Sequence, residues 1–183
     1  MKNTRSGRRN KKSSQYGWVA TVFCIAVTLS AALSLASESL MAGAGVAVAL
    51  LILALFIGLG ILFDIIGVAV TAADEKPFHS MAAHREKGAR EALRLLKNAS
   101  RVSSVCNDVV GDICGIVSGT TAAVIVTQLQ RSLNTRTVLL SVGVTALISG
   151  LTIGGKALGK TFAIRKSTQV VFLAGRFLHL FHR

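Results

Sequence analysis

The chain has 183 residues, about half of them hydrophobic, with one proline, 5% aromatics and a formal net charge of +13. A positive mean hydropathy at this length excludes an ordinary small soluble domain and points to an integral membrane protein. The excess positive charge by itself would suit nucleic acid, but the distribution of the basic residues argues otherwise and no recognition motif accompanies their clusters.

In chain order, residues 1–15 form a basic segment without apolar periodicity, expected to be a mobile cytoplasmic arm. Residues 16–42 hold a first span, Gly17 to Ala36, and the external link SESLMA, whose one charge is Glu38. The basic start followed by an apolar stretch and LSLAS also fits a cleaved signal peptide, although the apolar segment is long for one. A second span covers Gly43 to Val70, a third Asp108 to Gln128 and a fourth Thr137 to Leu158. Each is long enough for a hydrocarbon core of about 30 Å at 1.5 Å per residue.

Between spans two and three, residues 74–101 turn amphipathic. Phe78, Met81, Ala82, Ala89, Leu93 and Leu96 can share a face, with Arg85, Lys87, Arg90, Arg94 and Lys97 around the other, and Pro77 suits a first helical turn. This stretch predicts a helix lying on the cytoplasmic surface of the bilayer. Residues 161–183 repeat the logic, aligning Val170, Leu173, Ala174, Phe177 and Phe181 against Arg165, Lys166, Arg176 and Arg183. They predict a C-terminal interfacial helix or a hydrophobic element packed under the bundle.

The fold class expected is therefore all-α: four transmembrane helices, an amphipathic cytoplasmic helix after the second and an interfacial helix at the C-terminus. Six basic residues precede Tyr16, seven lie from Lys76 to Arg101, two lie between spans three and four, and six follow from Lys156 onward. That asymmetry puts both termini on the cytoplasmic side of the cell membrane and supplies contacts to anionic lipids.

The third span opens with NDVVGDICGIVSG, residues 107–119. Gly111, Gly115 and Gly119 recur every four residues, a small-residue ridge that lets another helix approach closely, within the subunit or in a homodimer. Asp108 and Asp112 share that face. By depth, Asp64 late in span two and Lys156 late in span four fall in the same cytoplasmic layer. Such charges cost about 3 kcal/mol each unless paired, wetted or bound to a cation. One reading is a divalent-cation site of Asp64, Asn107, Asp108 and Asp112 suited to Mg2+. The plainer one has Asp108 capping span three and Lys156 snorkelling to the interface.

Cys24, Cys106 and Cys114 fall in spans with no redox or ligand spacing, and act as small apolar residues. His79 with His84, and His179 with His182, lack the partners a metal site needs. Neither a nucleophile with its base nor a pair of catalytic carboxylates stands outside the membrane, so an enzyme is not expected.

The segment from Gly67 to Ser104 resembles the transmembrane domain of the CorB/CorC and cyclin M family of magnesium and cobalt exporters. The pattern A-x-x-A-L-x-L-L-x-N-x-x-R is matched by Ala89, Ala92, Leu93, Leu95, Leu96, Asn98 and Arg101. Gly155 to Thr161 falls where that family carries a Gly-Glu-x-x-Pro-Lys-like motif, and the likeness runs over residues 43–160 as the family's core and on to Phe181. The chain departs from the pattern at the metal residues. Asp64, Ile66 and Gly67 stand where the family has serines and a glutamate, Lys156 stands at a glutamate position, and Gly159 replaces a proline. The resemblance implies a cation transporter or exporter, in a short form without the paired CBS modules. Its ion site is either rebuilt from Asp64, Asn107, Asp108 and Asp112 or filled by Lys156. The alternative is a membrane scaffold or regulator that kept the fold without transport.

Overall fold

The computed structural model of the chain describes residues 6–41, 43, 45–132, 134 and 138–181, with side chains described within 17–180. Expectations placed on residues 1–5, on Arg136, on the Phe181 side chain, and on His182 and Arg183 lie outside the described residues. Among the described residues every regular element is a helix: α1 (Ser6–Met41), α2 (Val46–Ala72), α3 (Lys76–Ala83), α4 (Ala89–Lys97), α5 (Ala99–Ser104), a π-helical segment (Val105–Gly111), α6 (Asp112–Ser132), α7 (Val138–Arg165) and α8 (Ser167–Phe181).

Four helical stretches are long and apolar enough to cross a membrane: Gly17–Met41, Val46–Ala72, Ala99–Ser132 and Val138–Arg165. The protein is thus an all-α, multi-pass membrane protein. Two boundaries differ from expectation. α1 already begins at Ser6, so the helix reaches back through most of the segment expected to be a mobile arm. Once the apolar span has nucleated a helix, each further residue adds one hydrogen bond. The third span starts at Ala99 rather than Asp108, because α5, the π segment and α6 run on without a break.

The amphipathic stretch is two helices, not one. Arg85 and Gly88 have φ of 57° and 93°, left-handed values that stop α3 and start α4 in a new direction. Pro77 sits in the first turn of α3, as its missing N–H favours. Of the residues expected on the apolar face, Phe78, Ala89 and Leu96 are buried and Met81, Ala82 and Leu93 partly buried, while Arg85, Lys87, Arg90, Arg94 and Lys97 are exposed.

α2 is the hub, packing against α5, the π segment, α6, α7 and α8. Two apolar clusters lie along it. One joins Ile52, Leu53 and Phe56 of α2 to Ile113, Cys114 and Val117 of α6 and to Met41 at the end of α1. The other joins Ala69 and Val70 to Phe78, Leu96, Ala163 and Val171, gathering α3, α4, α7 and α8 around the end of α2. Phe78 is wholly buried there, and deleting such a ring costs about 3 to 5 kcal/mol. Besides the apolar packing of Met41, Val22, Ala26, Leu29 and Leu33, α1 meets this frame at two polar points: the buried hydroxyls of Ser37 and Thr121 lie 3.4 Å apart, and the Arg101 guanidinium sits 5.0 Å from the Trp18 ring centroid. Between the two apolar clusters, α2 carries Gly60, Asp64 and Gly67.

Candidate functional site

Gly60, Asp64 and Gly67 are spaced four and three apart and therefore share one face of α2, and all three are buried. That face meets the π segment and the first turn of α6. A β-carbon on Gly60 would stand 3.2 Å from the Cys114 β-carbon and 3.9 Å from the Gly111 carbonyl oxygen. One on Gly67 would overlap the Asn107 carboxamide. The two glycines thus bring the backbone of α2 against the π segment, with Asp64 between them.

The π segment decides which polar groups point inward. Its wider turn, with i to i+5 hydrogen bonds, occurs mostly as isolated insertions at functional sites. Cys106, Val109 and Gly111 are buried on it, and Asn107 is partly buried with its side chain over Gly67. The Asn107 Nδ2 donates to Ser103 Oγ at 3.3 Å, whereas its Oδ1 is buried without a hydrogen-bond partner. Asp64 Oδ2 is in the same condition, on a residue only 6% exposed. Two hard oxygens are therefore orphaned, one on Asp64 of α2 and one on the Asn107 side chain that covers Gly67, three residues further along α2, in a place where an unsatisfied acceptor costs roughly 1 to 3 kcal/mol.

Asp108 and Asp112 do not join them. Both are exposed, and Asp108 accepts a hydrogen bond from Ser104 Oγ at 2.8 Å. Asp108 is not a helix cap either, since the helical path begins at Ala99. Among the described residues, no group of three or more His, Cys, Asp or Glu side chains is placed to hold a metal ion. The four-residue oxygen set expected from sequence is divided: Asp64 and Asn107 lie inside, Asp108 and Asp112 outside.

Lys156 turns inward rather than to the interface. Its Nζ lies 3.9 Å from where a Gly111 β-carbon would stand, and the residue is partly buried. Its neighbours in α7 make room for this. β-carbons on Gly155 and Gly159 would meet Ile61 and Ile65 of α2 at 2.5 and 3.0 Å, so the two helices touch closely on either side of the lysine. The glycine that stands at the proline position is a packing residue here. Among the described residues, Lys156 has no carboxylate within 4.0 Å, so it forms no ion pair with Asp64.

Of the glycine ridge, only Gly111 packs inside the subunit. Gly115 and Gly119 are exposed, with nothing within 4 Å of an added β-carbon. The change of turn explains this: the π segment presents Gly111 to α2, and α6 then rotates its regular 100° per residue, so that Cys114, Val117, Ser118 and Thr121 form the buried stripe. Sequence reasoning did not single out Ser103 or Ser104, and it named Gly67 only as a departure from the family pattern. The i, i+4 pairs Ser103 with Asn107 and Ser104 with Asp108 were the available signal.

At the end of the bundle that carries the connecting helices α3 and α4, His179 of α8 approaches Glu91 of α4, with Nδ1 3.1 Å from Oε1. This hydrogen bond holds the Glu91 carboxyl below its usual range, with a smaller contribution in the same direction from Arg94. A second His–Glu contact, His79 with Glu75 at 3.7 Å, lies within one helical turn on the surface.

The profile of the cyclin M transmembrane N-terminal domain matches residues 50–183, a stretch that holds every residue of the polar layer. No curated protein and no solved structure matches the chain.

Proposed function

The chain belongs to the cyclin M transmembrane domain family, and on that premise we propose that it handles a divalent cation, Mg2+ by donor chemistry, at the layer formed by Asp64 and Asn107. The observation that carries this reading is the pair of buried, unpartnered oxygens, Asp64 Oδ2 and Asn107 Oδ1, beside a π turn. Carboxylate and amide oxygens are the hard ligands Mg2+ takes, and the ion keeps several waters, so two protein oxygens are a workable contribution. Lys156 is the modifier. Its ammonium stands against Gly111 at the wall of the same layer, repels an incoming cation and lowers the affinity.

A second reading, a scaffold that kept the fold without transport, is favoured by the same lysine, whose fixed positive charge can stand in for the ion. In either case the basic clusters support cytoplasmic termini and contact with anionic lipids. The exposed Gly115 and Gly119 support a homodimer.

A thermal-shift or calorimetric titration with MgCl2 on the purified chain separates the readings. The wild type is expected to respond weakly, and Lys156→Glu, which replaces an ammonium by a hard oxygen ligand, more strongly. If both proteins stay folded and neither responds to the ion, the cation reading is lost and the scaffold reading stands.

A further inference from the structure

Outside the polar layer, a cavity of about 460 Å³ lies where α8 crosses the loop before α4, lined by Lys87, Leu173, Arg176, Phe177, His179 and Leu180. We propose that this cavity is a binding site for one anionic phospholipid, its headgroup phosphate held by Lys87 and Arg176 and its acyl chains lying along Leu173, Phe177 and Leu180.

The two cations come from different elements and are held together by the backbone. Gly88 takes φ of 93°, and a β-carbon on it would stand 2.6 Å from the Arg176 nitrogen. The reciprocal contact is as close, since a β-carbon on Gly175 would stand 2.5 Å from the Gly88 carbonyl oxygen and 2.9 Å from the Ala92 nitrogen. Lys87 and Arg176 are therefore fixed next to each other by a glycine-to-glycine contact. Neither has a carboxylate within 4.0 Å among the described residues: Glu91 is engaged with His179, and Glu86, beside Lys87 in the exposed loop, pairs with neither cation. Two neighbouring cations without a counter-charge favour an anion, and an Arg guanidinium offers a phosphate paired donors. With Nδ1 of His179 directed to Glu91, Nε2 is the ring atom left to face the same group.

The rest of the lining identifies the anion as a lipid. Leu173 and Leu180 are 69% and 73% exposed, on the side of α8 opposite Val171 and Gly175, which are buried against the bundle. α8, which lines most of the cavity, follows directly on α7 and packs against α2, so with these helices crossing the bilayer the proposal puts the cavity near the level of phospholipid headgroups. Cations at headgroup depth with leucines and a phenylalanine beside them match both parts of a phospholipid, whereas a soluble phosphate has no use for the apolar wall.

The test uses the full chain in a non-ionic detergent with EDTA present, so that the ion site plays no part and the two proposals fail separately. Phosphatidylglycerol or phosphatidylcholine is added, and both the unfolding midpoint and the lipid retained in native mass spectrometry are read. Wild type is expected to retain one phosphatidylglycerol and gain several degrees, with no gain from phosphatidylcholine. The double variant Lys87→Gln, Arg176→Gln loses both effects, while Lys160→Gln, Arg165→Gln, which removes the same charge outside the cavity, keeps them. Lys87→Gln alone, in an exposed loop, retains the test if the double variant fails to fold. Equal responses in the cavity and control variants, equal responses to the two lipids, or a shift reproduced by inorganic phosphate would each overturn the proposal.

Discussion

Asn107 rests on Gly67. A β-carbon on that glycine would overlap the Asn107 carboxamide oxygen and stand 2.8 Å from its Cγ. The contact joins the two halves of the polar layer, because Gly67 is one turn along α2 from Asp64 and Asn107 is the inward-facing side chain of the π segment. Gly67→Ala is thus expected to drive Asn107 out of its place and destabilise the protein by about 1 to 3 kcal/mol, as overpacking does. It should also abolish any Mg2+ response. Gly58→Ala on the same helix, where nothing lies within 4 Å, is the control and should be near neutral in thermal unfolding.

The separation of the aspartates gives opposite expectations for substitutions that look alike in sequence. Asp64→Asn removes the charge of a buried carboxylate with no hydrogen-bond partner on Oδ2. It should raise cation-free stability by roughly 1 to 3 kcal/mol and remove the Mg2+ response, a trade of stability for a site. Asp112→Asn, on the exposed face, should change stability by about 0.5 kcal/mol or less and keep the response. Loss of the response in Asp112→Asn alone would put the ion on the outer face instead.

Much of this architecture was legible in the primary structure, and the limits have physical causes. Four spans follow from apolar length alone, and the buried and exposed faces of residues 74–97 follow from helical periodicity. The break at Arg85 and Gly88 was not legible, because the periodic pattern continues across it and the left-handed turn depends on Arg176, 88 residues later than Gly88. Depth along a span was the signal that grouped Asp64, Asp108, Asp112 and Lys156 in sequence. Rotation did not follow, since one π segment changes the phase of every later residue and nothing in VCNDVVG announces it.

The link between α4 and α8 has a pH dependence whose sign is fixed by Glu91. Its carboxyl is held below the ordinary glutamate value of 4.5, chiefly by the hydrogen bond from His179. A depressed carboxylate stabilises the folded state above its unfolded value and loses that contribution as pH falls through the folded one. Acid below the ordinary value should therefore loosen α8 from α4, which hydrogen exchange in residues 167–180 would report. Glu91→Gln should weaken the contact at neutral pH and flatten this acid response; an unchanged acid profile would place the sensitivity elsewhere.

Gly115 faces outward, so its substitution distinguishes packing within one subunit from packing between two. A leucine there meets nothing within 4 Å inside the subunit and leaves the stripe of Cys114, Val117 and Thr121 intact. Monomer stability in detergent should consequently stay within about 0.5 kcal/mol of wild type. If the glycine edge of α6 is where two copies meet, the leucine holds the helices apart, because close backbone approach is what small residues supply in a membrane interface. Gly115→Leu should then shift the protein from dimer to monomer in size-exclusion chromatography with light scattering, and Gly111→Leu should instead unfold it by displacing Lys156 and Cys106. A Gly115→Leu protein that keeps both its stability and its dimer would leave that edge facing lipid.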